Sequence, residues 1–198
     1  SVSGALMDIV KLGDISKNII GAMSADELYE NTLKWAKVYD TDFAQRLESQ
    51  KDYSLKVLAI ERGGDNPRKD FAMYSEIKDG ISYMYDDLYN IDSAKNALST
   101  VLTPEKVSEI LNAFSTHDIK ATHKDEWFAE MKSIATELGY APDGKTFKTN
   151  PDQYKGSIAD VAMVLRIALT ERTKAPDMYA VMNVFGVEQS KMRFKNLA

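Results

Sequence analysis

The stretch "SIADVAMVLRIALTERT", residues 157–173, decides the fold class. Ile158, Val161, Ala162, Leu165 and Leu169 fall on one helical stripe, and Val164, Ile167 and Ala168 cover much of the remaining circumference. Ser157 with Asp160 three residues on is a helix start, the cap and its reciprocal acceptor. A helix this apolar belongs in an interior, yet Arg166 sits in it, aligned with Thr170 and Thr173 in a narrow polar strip. A guanidinium there needs partners. One reading is an internal salt bridge, to Asp160 or to a carboxylate of a neighbouring helix, which would be expensive to break. The other is a stem held by packing, with five rigid donors aimed into a groove where they read a base edge or a phosphate. Helical geometry leaves both open.

Outward from this segment the same grammar repeats. "APDMYAVMNVFG" begins at Pro176 and ends at Gly186, and "VEQSKMRFKNLA" follows, so three short, tightly linked helices are predicted to pack as an antiparallel cluster. Upstream, "SADELYENTLKWAKVY" has Ser24 and Glu27 as a capping box and sets Leu28, Thr32, Trp35, Ala36 and Tyr39 on one face. "LTPEKVSEILNAFS" has Thr103 as cap, Pro104 at the first helical position, and Val107, Ile110, Leu111 and Phe114 along one side. "THKDEWFAEMKSIATELG" starts at Thr122, aligns Trp127, Met131, Ile134, Ala135 and Leu138, and stops at Gly139. In "FAMYSEIKDGISYMYDDLY", Ile77, Ile81, Met84, Tyr85 and Leu88 fall at core spacing, which leaves Tyr74 and Tyr83 off the stripe.

Alternating strand patterns are scarce. "GYAPDGKTFKTNPDQYKG" reads as an irregular loop, and "ERGGDNPRKD", residues 61–70, as a turn with a positive rim of Arg62, Arg68 and Lys69. The fold class is therefore all-α, a helical bundle of two packed subdomains dividing near Ile91, residues 1–91 and 92–198, in one elongated body.

Composition narrows the function classes. The chain has no cysteine, so disulfides and thiolate metal sites are excluded and a cytoplasmic home is expected. It has no apolar run of about 18 residues to cross a bilayer. The start "SVSGALMDIVKLGD" lacks a signal peptide's basic and apolar regions and fits a segment excised from a longer chain. The net charge of −5 speaks against nucleic acid, but its distribution matters more. Residues 1–91 carry 11 Lys and Arg against 16 Asp and Glu, residues 92–198 carry 14 of each, and from Lys155 onward 7 bases face 4 acids. That local excess is compatible with phosphate contacts without requiring them.

No reaction centre assembles from the motifs. His117 and His123, with Asp118 and Asp125 nearby, lie in or beside a polar link and form no i, i+4 ligand pair, so solvated loop residues and no metal are expected. Gly63-Gly64 is a bare pair rather than a phosphate loop, no serine has an elbow context, and Asp86 and Asp87 read as a solvated helix face.

The run "LRIALTERTKAPDMYAVMNVFGVEQSKMRF" resembles the C-terminal signature of bacterial glutamyl-tRNA synthetases. Leu165, Arg166, Ala168, Leu169, Thr170, Pro176, Gly186, Glu188 and Arg193 match it. "GALMDIVKLGDISKNII" resembles the segment after that family's catalytic domain, and "NPRKDFAMYSEIKDGISYMYDDL" the helix-and-turn region before its final domain. One position departs: the family's glycine after Thr170 is Glu171. The class I catalytic signatures, His-Ile-Gly-His and Lys-Met-Ser-Lys-Ser, are missing; "SKMRF", residues 190–194, is only a partial echo.

The resemblance implies an all-α anticodon-binding module of the class I synthetase type, lacking the part that activates glutamate and inactive alone. ATP and magnesium would belong to the catalytic domain, and this chain would hold no cofactor. It assigns Arg166 and Arg68 to arginines that read the anticodon. Arg62 and Lys69 beside Arg68, Thr170 beside Arg166, and Arg172 and Lys174 as phosphate contacts complete the candidates. The expected partner of a monomer is glutamate tRNA, with glutamine tRNA left open. The rival expectation is a helical protein-interaction module whose exposed Met and Tyr residues bind a partner helix.

Overall fold

The computed structural model describes residues 8–119 and 122–198. The chain divides into two compact units, one ending at Ser82 and the other running from Tyr83 to Ala198.

In the first unit, α1 spans Ile9–Ala22, α2 Ala25–Tyr39, α3 Thr41–Ser49, α4 Lys51–Leu58 and α5 Ile77–Ile81. The capping box at the start of α2 forms: Ser24 Oγ accepts from the Glu27 N–H at 3.1 Å, and Glu27 Oε2 accepts from the Ser24 N–H at 2.8 Å. Leu28, Tyr29, Thr32, Leu33 and Ala36 are buried on α2, Phe43, Ala44 and Leu47 on α3, and Val57 and Leu58 on α4. The α2 stripe is rotated from the one expected. Trp35 is only half-buried, Tyr39 is exposed, and the two rings stack at 5.7 Å on the surface.

In the second unit, α6 spans Ile91–Leu98, α7 Pro104–Thr116, α8 Lys124–Glu137, α9 Gly144–Thr149, α10 Ile158–Thr170, α11 Met178–Phe185 and α12 Val187–Leu197. The segment that decided the fold class is the unit's axis. α10 touches α6, α7, α8, α11 and α12, and Val161, Val164, Leu165, Ile167, Ala168 and Leu169 are wholly buried. Val107, Ile110, Leu111 and Phe114 of α7, and Trp127, Met131, Ile134 and Ala135 of α8, are buried as their spacing required. α8 and α11 stop at positive-φ glycines, Gly139 (φ 88°) and Gly186 (φ 106°).

Three expectations change. The stretch read as a loop, residues 139–156, contains α9, capped by Asp143 accepting from the Thr146 N–H at 2.7 Å, and a 3₁₀ turn at Pro151–Gln153. Tyr83 is buried, not presented. The break between units falls at Ser82/Tyr83 rather than near Ile91, because Tyr83, Met84 and Tyr85 bury within the second unit and the Tyr89 hydroxyl donates to Ala168 O at 2.7 Å. Asp86 therefore lies in a turn and not on a helix. No helix among the described residues is long and apolar enough to cross a membrane.

Because Leu165 is fully enclosed on the axial helix, Leu165→Ala is expected to cost about 2–5 kcal/mol, read as a lower urea midpoint of unfolding.

Candidate functional site

The end of α10 organises the candidate residues of the second unit. A helix leaves its last carbonyls without intrahelical donors, and inside a protein each needs a partner. Here Ile167 O accepts the Glu171 N–H at 2.7 Å, Ala168 O accepts the Tyr89 hydroxyl, and Leu169 O accepts Arg193 Nη1 at 2.8 Å. Arg193, from α12, is buried. Its Nη1 also donates to Tyr83 O at 2.6 Å and its Nη2 to Asp86 Oδ1 at 2.8 Å. The guanidinium lies between the rings of Tyr89 and Phe185, at 4.0 and 3.9 Å from their centroids. Burial pushes the Tyr89 hydroxyl's pKa above its ordinary value, so this donor stays protonated.

Beyond Thr170 the chain turns through Glu171 with φ 62° and ψ 7°, a left-handed residue that ends the helix. This is where the family pattern has glycine. A side chain in that conformation costs about 1–2 kcal/mol. The Glu171 carboxylate offsets part of it by accepting the Asn90 N–H at 2.7 Å, and burial raises its pKa against the lowering effect of that bond and of Arg172 and Arg193. Thr170, a candidate for tRNA contact, is fully buried, and its hydroxyl donates to Arg166 O at 2.8 Å and Arg172 O at 3.3 Å. It closes the helix end and offers nothing to a ligand. Arg172 is half-buried with its guanidinium 5.7 Å from the Tyr83 ring, and Lys174 is exposed.

Arg166 differs from Arg193. Its side chain is half-buried and, although its Nε is enclosed without a hydrogen-bond partner just as that of Arg193 is, no carboxylate among the described residues pairs with it. Asp160, the proposed internal partner, accepts instead from the Ser157 N–H at 2.6 Å and hydroxyl at 3.1 Å. The ion pair that was one of the two readings for Arg166 is made instead by the buried Arg193 with the largely exposed Asp86.

On the first unit the basic turn splits into three fates. Arg62 is spent on backbone: Nη1 donates to Ile20 O at 2.7 Å, Gly21 O at 3.3 Å and Met23 O at 3.1 Å, and Nε to Leu58 O at 3.0 Å. It closes the C-terminal end of α1, a structural role that the basic turn did not suggest for this tRNA-contact candidate; burial lowers its pKa. Arg68 is clamped by Asp70, through Nε at 2.6 Å and Nη2 at 3.0 Å, and by Glu61, through Nη1 at 3.2 Å. Burial would lower its pKa, but the two carboxylates together raise it. Lys69 is exposed.

Arg193, Tyr89 and Asp86 were missed as a group, because they come from segments more than 100 residues apart, for which only the family match at Arg193 was a signal. Among the described residues no set of three His, Asp or Glu could hold a metal. His117 and His123 cap α7 and α8, and a cleft of about 600 Å³ between those helices is lined by His117, Asp118, Glu130 and Glu137, the wrong sign for phosphate.

What these residues define is an all-helical protein with arginines set on helix ends and turns. No family model matches the chain. It is 40% identical over 196 residues to the glutamate--tRNA ligase of Clostridium perfringens strain SM101, covering 98% of this chain and 36% of that protein. The ligase of Clostridium beijerinckii is 40% identical over 196 residues, 97% of this chain and 35% of that protein, and that of Sorangium cellulosum 32% over 190 residues, 96% and 33%. The chain is thus similar to part of the glutamate--tRNA ligases, the likeness that residues 165–193 implied, and spans about a third of the length of the relatives it matches.

Two substitutions separate the parts of the helix end. Arg193→Ala, which orphans two backbone carbonyls, is expected to destabilise the chain by about 3–5 kcal/mol, whereas Asp86→Ala, whose side chain is 76% exposed, should cost under about 1 kcal/mol in the same thermal melts. Glu171→Gly relieves the left-handed strain and loses the Asn90 bond, so it should change stability by less than about 1 kcal/mol, while Glu171→Ala keeps the strain and should cost about 1–2 kcal/mol. Because the folded state raises this carboxyl's pKa, its contribution is fully present below the unfolded value and is lost as pH rises through the folded one. The parent should accordingly gain on Glu171→Gln as pH falls, read by urea melts at acid and neutral pH.

Proposed function

We propose that the chain is the tRNA-binding part of a glutamate--tRNA ligase and that it recognises the anticodon. The observation that carries the reading is Arg166: a half-buried guanidinium on a packed helix, paired with no carboxylate among the described residues, in a chain matched over 98% of its length by a glutamate--tRNA ligase. Bases splayed from a single-stranded loop expose their pairing edges, and a side chain fixed at its stem can read them by hydrogen bonds. Arg172, Lys174 and Lys69, half-buried or exposed, serve as phosphate contacts. Arg68 acts on the first unit from within its carboxylate clamp, which dilutes its charge and favours directional reading over a plain phosphate grip.

The partner is glutamate tRNA, bound by a monomeric protein in the cytoplasm. Glutamate activation with ATP and magnesium would lie in the part of the ligase that this chain does not span. On this reading Arg166→Ala weakens cognate tRNA binding by roughly 1–3 kcal/mol with little change in the salt slope. Unchanged affinity with a collapsed melting temperature would overturn it. Arg68→Ala is expected to cost more with cognate tRNA than with an anticodon-mutated one; equal losses would reduce Arg68 to a phosphate contact. Glutamine tRNA, assayed beside them, reports how far the discrimination extends.

A further inference from the structure

The clasp around Arg193 is also one wall of a pocket of about 210 Å³, set between α12 and the stretch from Asp86 to the start of α6. Gln189, Met192, Arg193 and Asn196 fall at i, i+3, i+4 and i+7, so one face of α12 lines it. Ile91, Met192 and Leu197 make its apolar walls, and Met192 is 63% exposed, so the pocket opens to solvent beside it. The volume falls below the about 300 Å³ at which clefts for drug-sized ligands begin, and suits one flat ring system rather than a peptide.

The charge of this lining is settled internally. Arg193 is its only cation among the described residues, and that guanidinium is already held by Tyr83 O and Leu169 O through Nη1 and by Asp86 through Nη2. An anionic ligand therefore meets no unpaired cation, and a cationic one meets a carboxylate whose charge is shared. A neutral ligand with an apolar body and a hydrogen-bonding edge is what remains. Asp86 defines that edge: Oδ1 takes the bond from Arg193, Oδ2 accepts none among the described residues, and the side chain is 76% exposed. A carboxylate only accepts, so the ligand must present donors to it. Among the four RNA bases guanine alone offers two adjacent donor nitrogens on one edge, N1 and N2, while its O6 and N7 accept from an amide such as that of Gln189 or Asn196. We propose that the pocket between Asp86 and α12 binds a guanine base, with Asp86 accepting from N1–H and N2–H. The site is separate from the anticodon reading, since neither Arg166 nor Arg68 lines it. A free guanine nucleotide and an unpaired guanosine of RNA bring the same edge.

The test follows the side-chain amide resonances of Gln189 and Asn196 in the full chain as guanosine, inosine or adenosine is added. Guanosine should shift them at millimolar concentration or below, and inosine, which lacks the N2 amino group, should bind about ten-fold more weakly. Asp86→Asn should erase that preference while leaving the melting temperature nearly unchanged, and a merely structural Asp86 would not set the preference at all. No shift with guanosine, or equal affinity for guanosine and inosine, overturns the site. So does an Asp86→Asn variant that keeps the preference. Guanosine monophosphate compared with a uridine-rich single strand carrying one guanosine separates the two sources: tighter binding of the nucleotide assigns the pocket to free nucleotide, tighter binding of the strand to RNA, and each supports the site. A chain that takes guanosine here and ignores tRNA keeps this pocket and loses the proposed function.

Discussion

One guanidinium sets the architecture of the second unit. Arg193 accepts the cost of burial by donating to Tyr83 O, Leu169 O and Asp86 while two aromatic rings cover its faces. Such a group is expensive to desolvate, and here Nη1 and Nη2 are compensated while Nε is enclosed without a partner. By binding a terminal carbonyl of α10 it joins the last helix, the axial helix and the segment after Ser82 at one point. The position of Arg166, one turn back along α10, is inherited from that junction.

The two arginines show what a sequence can and cannot carry. Apolar periodicity placed α7, α8 and α10 in the core, since burial of one stripe is a local property of spacing. It also put Arg166 on the wall of a buried helix, where it lies. Which arginine takes the internal ion pair depends instead on carboxylates and carbonyls brought near by folding. Arg62 is the same case: the three acceptors of its Nη1 lie 39 to 42 residues earlier in the chain, so a residue in a basic turn looked like a rim contact and also caps a helix. Thr170 failed more simply, because polar strips on a helix can face inward when hydroxyls bond to their own turn. The loop over residues 139–156 was misread because proline and glycine density marks helix ends as readily as loops, and Asp143 starts α9 between them.

Glu171 was the residue the sequence left unexplained. The family's glycine fits a left-handed helix stop, and that stop persists here with a glutamate in it. The strain survives because the same side chain reaches Asn90, so a backbone penalty and a cross-chain hydrogen bond are set against each other in one residue. This arrangement also places a carboxylate beside Arg172, tempering the positive charge at the surface where phosphate contacts are expected.

The closure of α10 has a kinetic side. Its terminal carbonyls wait for Tyr89, 79 residues upstream of Ala168, and for Arg193, 24 residues downstream of Leu169. Ordering this point therefore requires two chain loops of unequal length to shut, an entropic toll met only when the unit is nearly assembled. Arg166 thus gains its final setting late in folding, and any excursion that frees Arg193 loosens it at once. Misassembled chains, lacking that clasp, would leave the last carbonyls of α10 without their donors.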